Sequence, residues 1–276
     1  MISITKQSLR SYKKKVDDFD PIADPEYIVY LNRILYSIIE SNGHATCNML
    51  IDQTHKENPG IKKFCDENTF SSRPGKDKGY LGKYIEFWLF KTPTNSRPET
   101  DLLYGDLKTT NFKRVNCSKN AYNAKERLTL TNVGDPNGKD IIAYMSQSNI
   151  KSICDTKYYN KIKSGVIVVL EHNNNTSKDV KDQRIIAIVR YDLDEIFKTN
   201  NDIASVFQDD FDKIKKCIVE RNVSQRGQQY LHIHPHGCKG SKTRAFGFTS
   251  RFLTWLVSHT LEKPIMKKGR TEYIEL

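Results

Sequence analysis

The segment that decides the fold is residues 78–110, in which KGYLGKYIE occupies 78–86 and DLLYGDLKTT occupies 101–110. Three carboxylates and one lysine fall within 23 residues of this segment: Glu86, Asp101, Asp106 and Lys108. A hard divalent cation such as Mg²⁺ requires oxygen ligands, and a nearby ammonium stabilises an attacking hydroxide or the charge that develops on a phosphate. The residue types and their order therefore indicate a metal-dependent site that cleaves phosphodiesters.

The first half of the segment predicts a helix over residues 81–90. Its apolar side chains recur at helical spacing, at Leu81, Ile85, Trp88 and Leu89. Glu86 lies near the middle of this mostly buried helix. Because a carboxylate in such a position needs a partner, Glu86 is a candidate for the site.

The second half predicts a turn followed by a short strand, over residues 101–112. Residues two apart on a strand share a face, so Asp106 and Lys108 point the same way and Leu107 enters the opposite layer. An Asp-x-Lys pair alone is also typical of a solvated strand face. The other carboxylates of the segment favour a catalytic pair over that alternative.

The same segment resembles the core of the MutH family, which joins the mismatch-repair nicking endonuclease to the Sau-type restriction enzymes that cut at GATC. The family pattern is a KG-aromatic-aliphatic-G segment, a helical Glu, a P-E-x-D loop and then ELKT. The matching positions in this chain are 78–82, Glu86, 98–101 and 106–109. The match is densest over 77–110, with a weaker one near the C-terminus.

The resemblance implies an α/β fold of the PD-(D/E)xK nuclease type, with a mixed central sheet flanked by helices. It implies a core motif of Asp101, Asp106 and Lys108, with Glu86 as an additional acid and Mg²⁺ held by the three carboxylates. The family has Glu at the position of Asp106, and the interval from Asp101 is about two residues shorter here. Asp keeps the hard oxygen chemistry, and a two-residue deletion preserves strand parity.

The overall charge favours a polyanionic partner. Lys and Arg total 44 against 33 acidic residues, for a formal net charge of +11. Such an excess favours nucleic acid through counterion release, and together with the resemblance it indicates double-stranded DNA. The N-terminus is too polar for a signal peptide, no segment approaches a membrane span, and the six cysteines lack paired CxxC spacing. We therefore expect a cytoplasmic protein with reduced thiols and no membrane partner.

The length of 276 residues suits one large domain or two closely packed lobes that form a DNA cleft. We predict a single endonuclease domain over 1–276 with three regions. Residues 1–70 form a mainly helical N-terminal region, with an amphipathic helix over 25–41. Residues 71–220 form the catalytic core, and residues 221–276 hold a DNA-recognition strand, a loop and a C-terminal helix.

A second basic element occupies residues 161–170, KIKSGVIVVL. Its apolar run predicts a buried central strand, and residues 185–191 predict the next strand after a turn at 173–175. The resemblance implies that a basic K-x-K before such a strand places an accessory lysine near the active site. Lys163 and Lys161 both fit that position, and ordinary solvated lysines at a strand entrance are the alternative.

The C-terminal segment YLHIHPHGC, at 230–238, predicts a strand with histidines on one face. These are His232, His234 and His236. With Cys238 they allow a zinc site, but the spacing matches no common structural zinc pattern and Pro235 interrupts the strand.

The resemblance gives these histidines a different role. In the repair enzyme a comparable tyrosine-leucine-x-Ile-Arg-Pro-Lys segment reads bases, and His234 and His236 occupy the Arg and Lys positions. Histidine donates to a guanine acceptor or a phosphate, but it lacks the bidentate fork and permanent charge of arginine. The resemblance implies GATC as the target, and the two histidines make a related site the alternative.

The residues after this strand interleave basic and aromatic side chains, as is typical of a DNA-facing loop. The basic residues are Lys242, Arg244 and Arg251. Phe246 and Phe248 are more typical of core than of base-stacking residues.

Three functions fit this sequence. A stand-alone type II restriction endonuclease would cut both strands, as a homodimer or by two sequential nicks, and would act beside a cognate DNA methyltransferase. A MutH-like repair nickase would cut one strand and need a mismatch-repair partner. A cleavage-inactive DNA-binding module would keep the fold but misplace a ligand through the shortened interval. The departures at Asp106, His234 and His236 favour the restriction enzyme.

Overall fold

The computed structural model describes residues 19–73, 79–93, 100–118, 120–172, 182–221, 227–237 and 240–276. Within these ranges the chain forms a mixed six-stranded sheet, a three-stranded antiparallel sheet and helices that pack on both. The α/β class with a mixed central sheet is therefore confirmed. Several positions of the predicted patterns lie outside the described residues: Lys78, Pro98, Glu99, 173–175 and Cys238.

The strands follow one another in chain order. They are β1 Asp106–Arg114, β2 Ala121–Ala124, β3 Leu128–Gly134, β4 Ser164–Glu171, β5 Ile185–Asp192, β6 Leu231–Pro235, β7 Arg244–Phe248, β8 Met266–Lys268 and β9 Thr271–Glu275. The larger sheet has the order β5-β4-β1-β2-β9-β8 and the smaller one the order β3-β7-β6.

Helices precede, connect and follow these strands. They are α1 Tyr27–Asn42, α2 Cys47–Glu57, α3 Pro59–Glu67, α4 Tyr80–Phe90, α5 Lys139–Met145, α6 Tyr159–Ile162, α7 Leu193–Thr199, α8 Asn201–Val219 and α9 Ser250–Thr260. In the described ranges no helix has both the length and the apolar character needed to cross a bilayer.

Strand β1 is central to the larger sheet but is paired unevenly along its length. It runs parallel to β4, from Asp106 opposite Gly165 to Phe112 opposite Glu171. Strand β2 joins its other edge only from Phe112 onward. Among the described strands, the first half of β1 therefore has a neighbour on one side only, and its other side is open to side chains from elsewhere.

Two hydrophobic cores lie on opposite faces of this sheet. Val166 and Val168 of β4 belong to the core shared with α1 to α4, whereas Ile167 and Val169 belong to the core shared with α8, α9 and the smaller sheet. Strand β4 is therefore apolar on both faces, as the sequence predicts for a central strand. Full burial of one such side chain contributes roughly 1.5–3 kcal/mol to the stability of the folded state.

The alternation on β1 follows the same division. Leu107 belongs to the first core, and Phe112, which has the parity of Asp106 and Lys108, belongs to the second. The predicted orientation of the Asp-x-Lys pair is therefore confirmed: both side chains lie on the face opposite Leu107.

The C-terminal region contributes strands to both sheets. Strands β6 and β7 form the smaller sheet with β3, whereas β9 pairs with β2 in the larger sheet. The predicted strand and C-terminal helix are present, and the β8–β9 hairpin is additional. The division into three regions remains a prediction.

Candidate active site

Asp106 is a buried carboxylate between two lysines. It is 2% exposed, Lys108 Nζ forms an ion pair with its Oδ2, and Lys161 Nζ lies 3.5 Å from its Oδ1. Although both ammoniums are close, neither makes a hydrogen bond of acceptable direction to these oxygens within the described ranges. A buried charge is costly unless it is paired, so this carboxylate requires cations.

Asp101 is anchored to the start of the same strand. Its Oδ2 accepts a hydrogen bond from the backbone N–H of Leu107, at 3.1 Å. Burial, and after it the side chain of Asp106, which is close enough to share a hydrogen bond, raises the pKa of Asp101 to about 6. The five-residue interval from Asp101 to Asp106 thus brings the two carboxyl groups together.

Glu86 approaches these two acids from helix α4. A Cβ at Gly82 would lie 3.7 Å from Glu86 Oε1 and 3.6 Å from Thr109 Oγ1, so α4 packs directly on β1 at this point. Burial raises the pKa of Glu86 to about 7, and the charges of Asp101 and Asp106 also raise it. The three predicted acids therefore repel one another when all are ionised.

Two glycines that the sequence analysis did not single out determine where Asp106 sits. Gly105 has a φ of +141°, and a Cβ there would lie 2.5 Å from the carbonyl group of Ser164. A Cβ at Gly165 would lie 2.5 Å from the carbonyl oxygen of Asp106. Only glycine permits this close approach of β1 and β4 at the carboxylate.

The donor set fits a hard cation. Mg²⁺ is typically bound by one or two carboxylates and completes its octahedron with water and phosphate oxygens. Asp101 and Asp106 provide such a pair, and among the residues that the structure describes no lysine makes a well-directed hydrogen bond to the buried Asp106 oxygens. Over the described residues, no three His, Cys, Asp or Glu side chains are grouped tightly enough to hold an ion by themselves. The role of Glu86 as a third ligand remains a prediction.

Only one of the two candidate accessory lysines forms an ion pair with Asp106 in the described part of the chain. Lys161, in the short helix α6, reaches Asp106, whereas Lys163 ends that helix and forms no ion pair within the described part of the chain. The carbonyl of Lys163 accepts a hydrogen bond from Leu193 N–H at 2.7 Å, which fixes the backbone before β4. The structure thus brings Lys161 to the carboxylates and leaves Lys163 outside the cluster.

The predicted base-reading histidine is largely inside the protein. His234 is 4% exposed, and its Nε2 lies 2.9 Å from Thr129 Oγ1 of β3. The ring of His232 stacks on it with centroids 4.7 Å apart. Burial lowers the pKa of His232 to about 3 and that of His234 to about 4. Both rings are therefore neutral at pH 7, while His236 is exposed.

The basic residues of the recognition region differ in what they contact. Arg251 donates to Glu272 at 3.1 Å and to Gln229 at 2.8 Å, and Arg244 Nη1 donates to backbone carbonyls of its own loop. Lys242 is exposed. Arg251 is therefore already paired within the protein, whereas Lys242 is an exposed cation. Phe246 and Phe248 are fully buried in the core, as predicted.

A buried acid that the sequence analysis missed holds the start of the histidine strand. The carboxylate of Asp210, on α8, accepts hydrogen bonds from the backbone N–H groups of Gln229, Tyr230 and Leu231, at 2.6–3.0 Å. The sequence does contain a sign of this role, because Asp210 falls on the apolar face of α8 between Phe207 and Ile214. A carboxylate on such a face needs buried donors.

The site described above consists of residues from three separate stretches of the chain. Helix α4 provides Glu86, the turn and strand β1 provide Asp101, Asp106 and Lys108, and helix α6 provides Lys161. Comparison of the chain with protein-family models and with curated proteins finds no match.

Proposed function

We propose that this protein is a type II restriction endonuclease that makes Mg²⁺-dependent, sequence-specific cuts in double-stranded DNA, at GATC or a related site. The observation that best supports this proposal is the convergence of Asp101, Asp106, Lys108 and Lys161 at the half-paired edge of β1. A phosphodiester hydrolase needs metal-binding acids beside a cation, and this cluster has both. The proposal includes a cytoplasmic location and a cognate DNA methyltransferase that protects the host sites.

In this proposal the acidic pair holds the metal and Glu86 assists it. When bound, Mg²⁺ supplies Lewis-acid activation of water and of the scissile phosphate. Asp106 and Asp101 provide its ligands, and the backbone N–H of Leu107 keeps Asp101 oriented toward the site. The repulsion between the ionised acids would be offset by the charge of a cation held there.

Lys108 orients the attacking water or helps to deprotonate it. Its Nζ lies at the Asp106 carboxylate and is partly exposed, so it faces both the ligand and the approach of the substrate. The water oxygen attacks phosphorus in line and gives up a proton to solvent, and the P–O3′ bond breaks. The leaving O3′ takes up a proton from solvent, so the products are a 3′-hydroxyl and the 5′-phosphate that the resemblance implies. Lys161, on the other oxygen of Asp106, stabilises the charge that develops on the phosphate.

Digestion of a supercoiled plasmid tests the proposal. With Mg²⁺ we expect linear DNA followed by discrete fragments, and with Ca²⁺ binding without cleavage. Fragment-end sequencing then gives the recognition site, and sedimentation with DNA distinguishes a homodimer from a monomer that nicks twice. Nicked circles as the final product would indicate a repair-type nickase instead, and DNA binding without cleavage in Mg²⁺ would indicate an inactive binding module.

A further inference from the structure

An open pocket of about 550 Å³ lies beside the histidine strand, and no role has been assigned to its cationic residue. Its lining includes Arg127, Thr129, His234 and His236. Arg127 lies on the connection between β2 and β3. On that connection the backbone N–H of Lys125 donates to the carbonyl of Asn111 on β1, at 2.9 Å. The connection that bears Arg127 is therefore hydrogen-bonded to β1, the strand that begins at the candidate acid Asp106.

Arg127 is available for a ligand. Its side chain is exposed, and in the described part of the chain no ion pair or hydrogen bond engages its guanidinium. Its charge nevertheless acts on the pocket, since it is one cause of the lowered pKa of both His232 and His234, after burial. Arg251 and Arg244, in contrast, are already bonded to groups of the protein.

His234, which lines the pocket, and the neighbouring His232 are tightly packed against β7. A Cβ at Gly247 of β7 would lie 2.9 Å from His232 Nε2 and 3.0 Å from His234 Cε1, so glycine is needed for both rings to fit. Thr129 engages Nε2 of His234, but Nδ1 of this ring is buried and has no hydrogen-bond partner among the described residues. An unsatisfied buried nitrogen calls for an explanation, and a water or a ligand in the adjoining pocket would supply one.

We propose that Arg127, at the mouth of the pocket that His234 lines, reads the major-groove edge of a G·C pair in the recognition sequence. The inference rests on the proposed function. The guanidinium fork matches the O6 and N7 acceptors of guanine. Arg127 thereby provides the permanent charge and fork that the histidines lack.

The test measures, in Ca²⁺, how tightly wild-type and variant proteins bind wild-type and variant DNA, in all combinations. The full-length protein first selects its preferred sequence from randomised duplex DNA, and each G·C pair of that sequence is then replaced by A·T. At one position the replacement should weaken wild-type binding roughly tenfold to a hundredfold and leave binding by Arg127→Ala unchanged. Arg127→Lys, which keeps the charge but not the fork, should also lose discrimination at that position.

Lys242→Ala is the matched control, because Lys242 is an exposed cation of the same region. It should weaken binding to all sequences alike and reduce the salt dependence by about one charge. The assignment of Arg127 is overturned if Arg127→Ala discriminates at every G·C pair as the wild type does, or if it weakens all sequences equally. A wild-type protein that selects no sequence overturns the proposed function itself, and this assignment with it.

Discussion

The Nζ of Lys161 lies 3.5 Å from Oδ1 of Asp106, on the side of the carboxylate that Lys108 does not occupy. Asp106 is thus held between one lysine of its own strand and one from the helix before β4. This arrangement distinguishes two lysines that are equivalent in the sequence.

Lys161→Ala and Lys163→Ala should therefore differ in effect. Loss of Lys161 removes a cation from the site, and we expect cleavage in Mg²⁺ to slow about 10²-fold or more, as for loss of other transition-state donors. Lys163→Ala is the control and should retain cleavage to within a few fold, because its side chain does not contact the carboxylates. Single-turnover cleavage of linear DNA measures both. Equal losses in the two variants would contradict the assignment.

The pattern of confirmed and missed features has a physical explanation. Helix α4 and strand β5 lie within about one residue of the predicted spans 81–90 and 185–191, because buried elements show a clear apolar period. The β8–β9 hairpin was missed because MKK is exposed throughout and shows no alternation. The three candidate acids of the site were chosen from the order of residue types along the chain, and not from an apolar period.

The contacts of the site were less accessible to sequence reasoning. That Lys161 rather than Lys163 reaches Asp106 depends on the turn of α6 relative to β4, which no local pattern specifies. That His234 is buried depends on Gly247 and Thr129, from strands that are distant in sequence. Such pairings are set by tertiary packing rather than by local propensity.

Glu86→Gln should stabilise the metal-free protein in a pH-dependent way. The pKa of Glu86 is about 7 when folded, above its ordinary value of 4.5, through burial and the neighbouring Asp101 and Asp106. The folded state therefore holds a proton that the unfolded state has lost, and the free energy of unfolding falls as pH rises from about 4.5 to about 7.

The gain in melting temperature of Glu86→Gln over wild type should therefore be larger at pH 7.5 than at pH 5. We expect roughly 2–4 °C for each kcal/mol of relieved repulsion. Thermal unfolding in EDTA measures this difference, and saturating Mg²⁺ should narrow it. A gain that is the same at both pH values would show that Glu86 does not titrate in this range.

Gly247→Ala should destabilise the protein by about 2 kcal/mol or more, because its Cβ would overlap the carbonyl of Leu128 and both histidine rings. Gly82→Ala is the control. Its Cβ would make only ordinary contacts at 3.6–3.7 Å, and alanine favours the helix by about 0.5–1 kcal/mol. Urea unfolding of both variants should give changes of opposite sign, and two changes of the same sign would contradict the packing described for the histidine pair.

Asp210→Asn should also destabilise the fold, since an amide cannot replace the carboxylate that accepts from three successive backbone N–H groups. Loss of charge-assisted hydrogen bonds at a buried site costs about 1.5–3 kcal/mol. The neighbouring Asp209 is exposed, so Asp209→Asn should change the free energy of unfolding by less than about 0.5 kcal/mol. Similar urea midpoints for the two variants would rule out the anchoring role of Asp210.

The central claim is that Lys108 and its neighbouring acids form a hydrolytic centre, and single-turnover plasmid cleavage by Lys108→Ala in Mg²⁺ tests it most directly. We expect the cleavage rate to fall about 10²–10⁴-fold, while DNA binding in Ca²⁺ stays within a few fold of wild type. Cleavage by Lys108→Ala at the wild-type rate would show that the chemistry takes place elsewhere and that this cluster is structural.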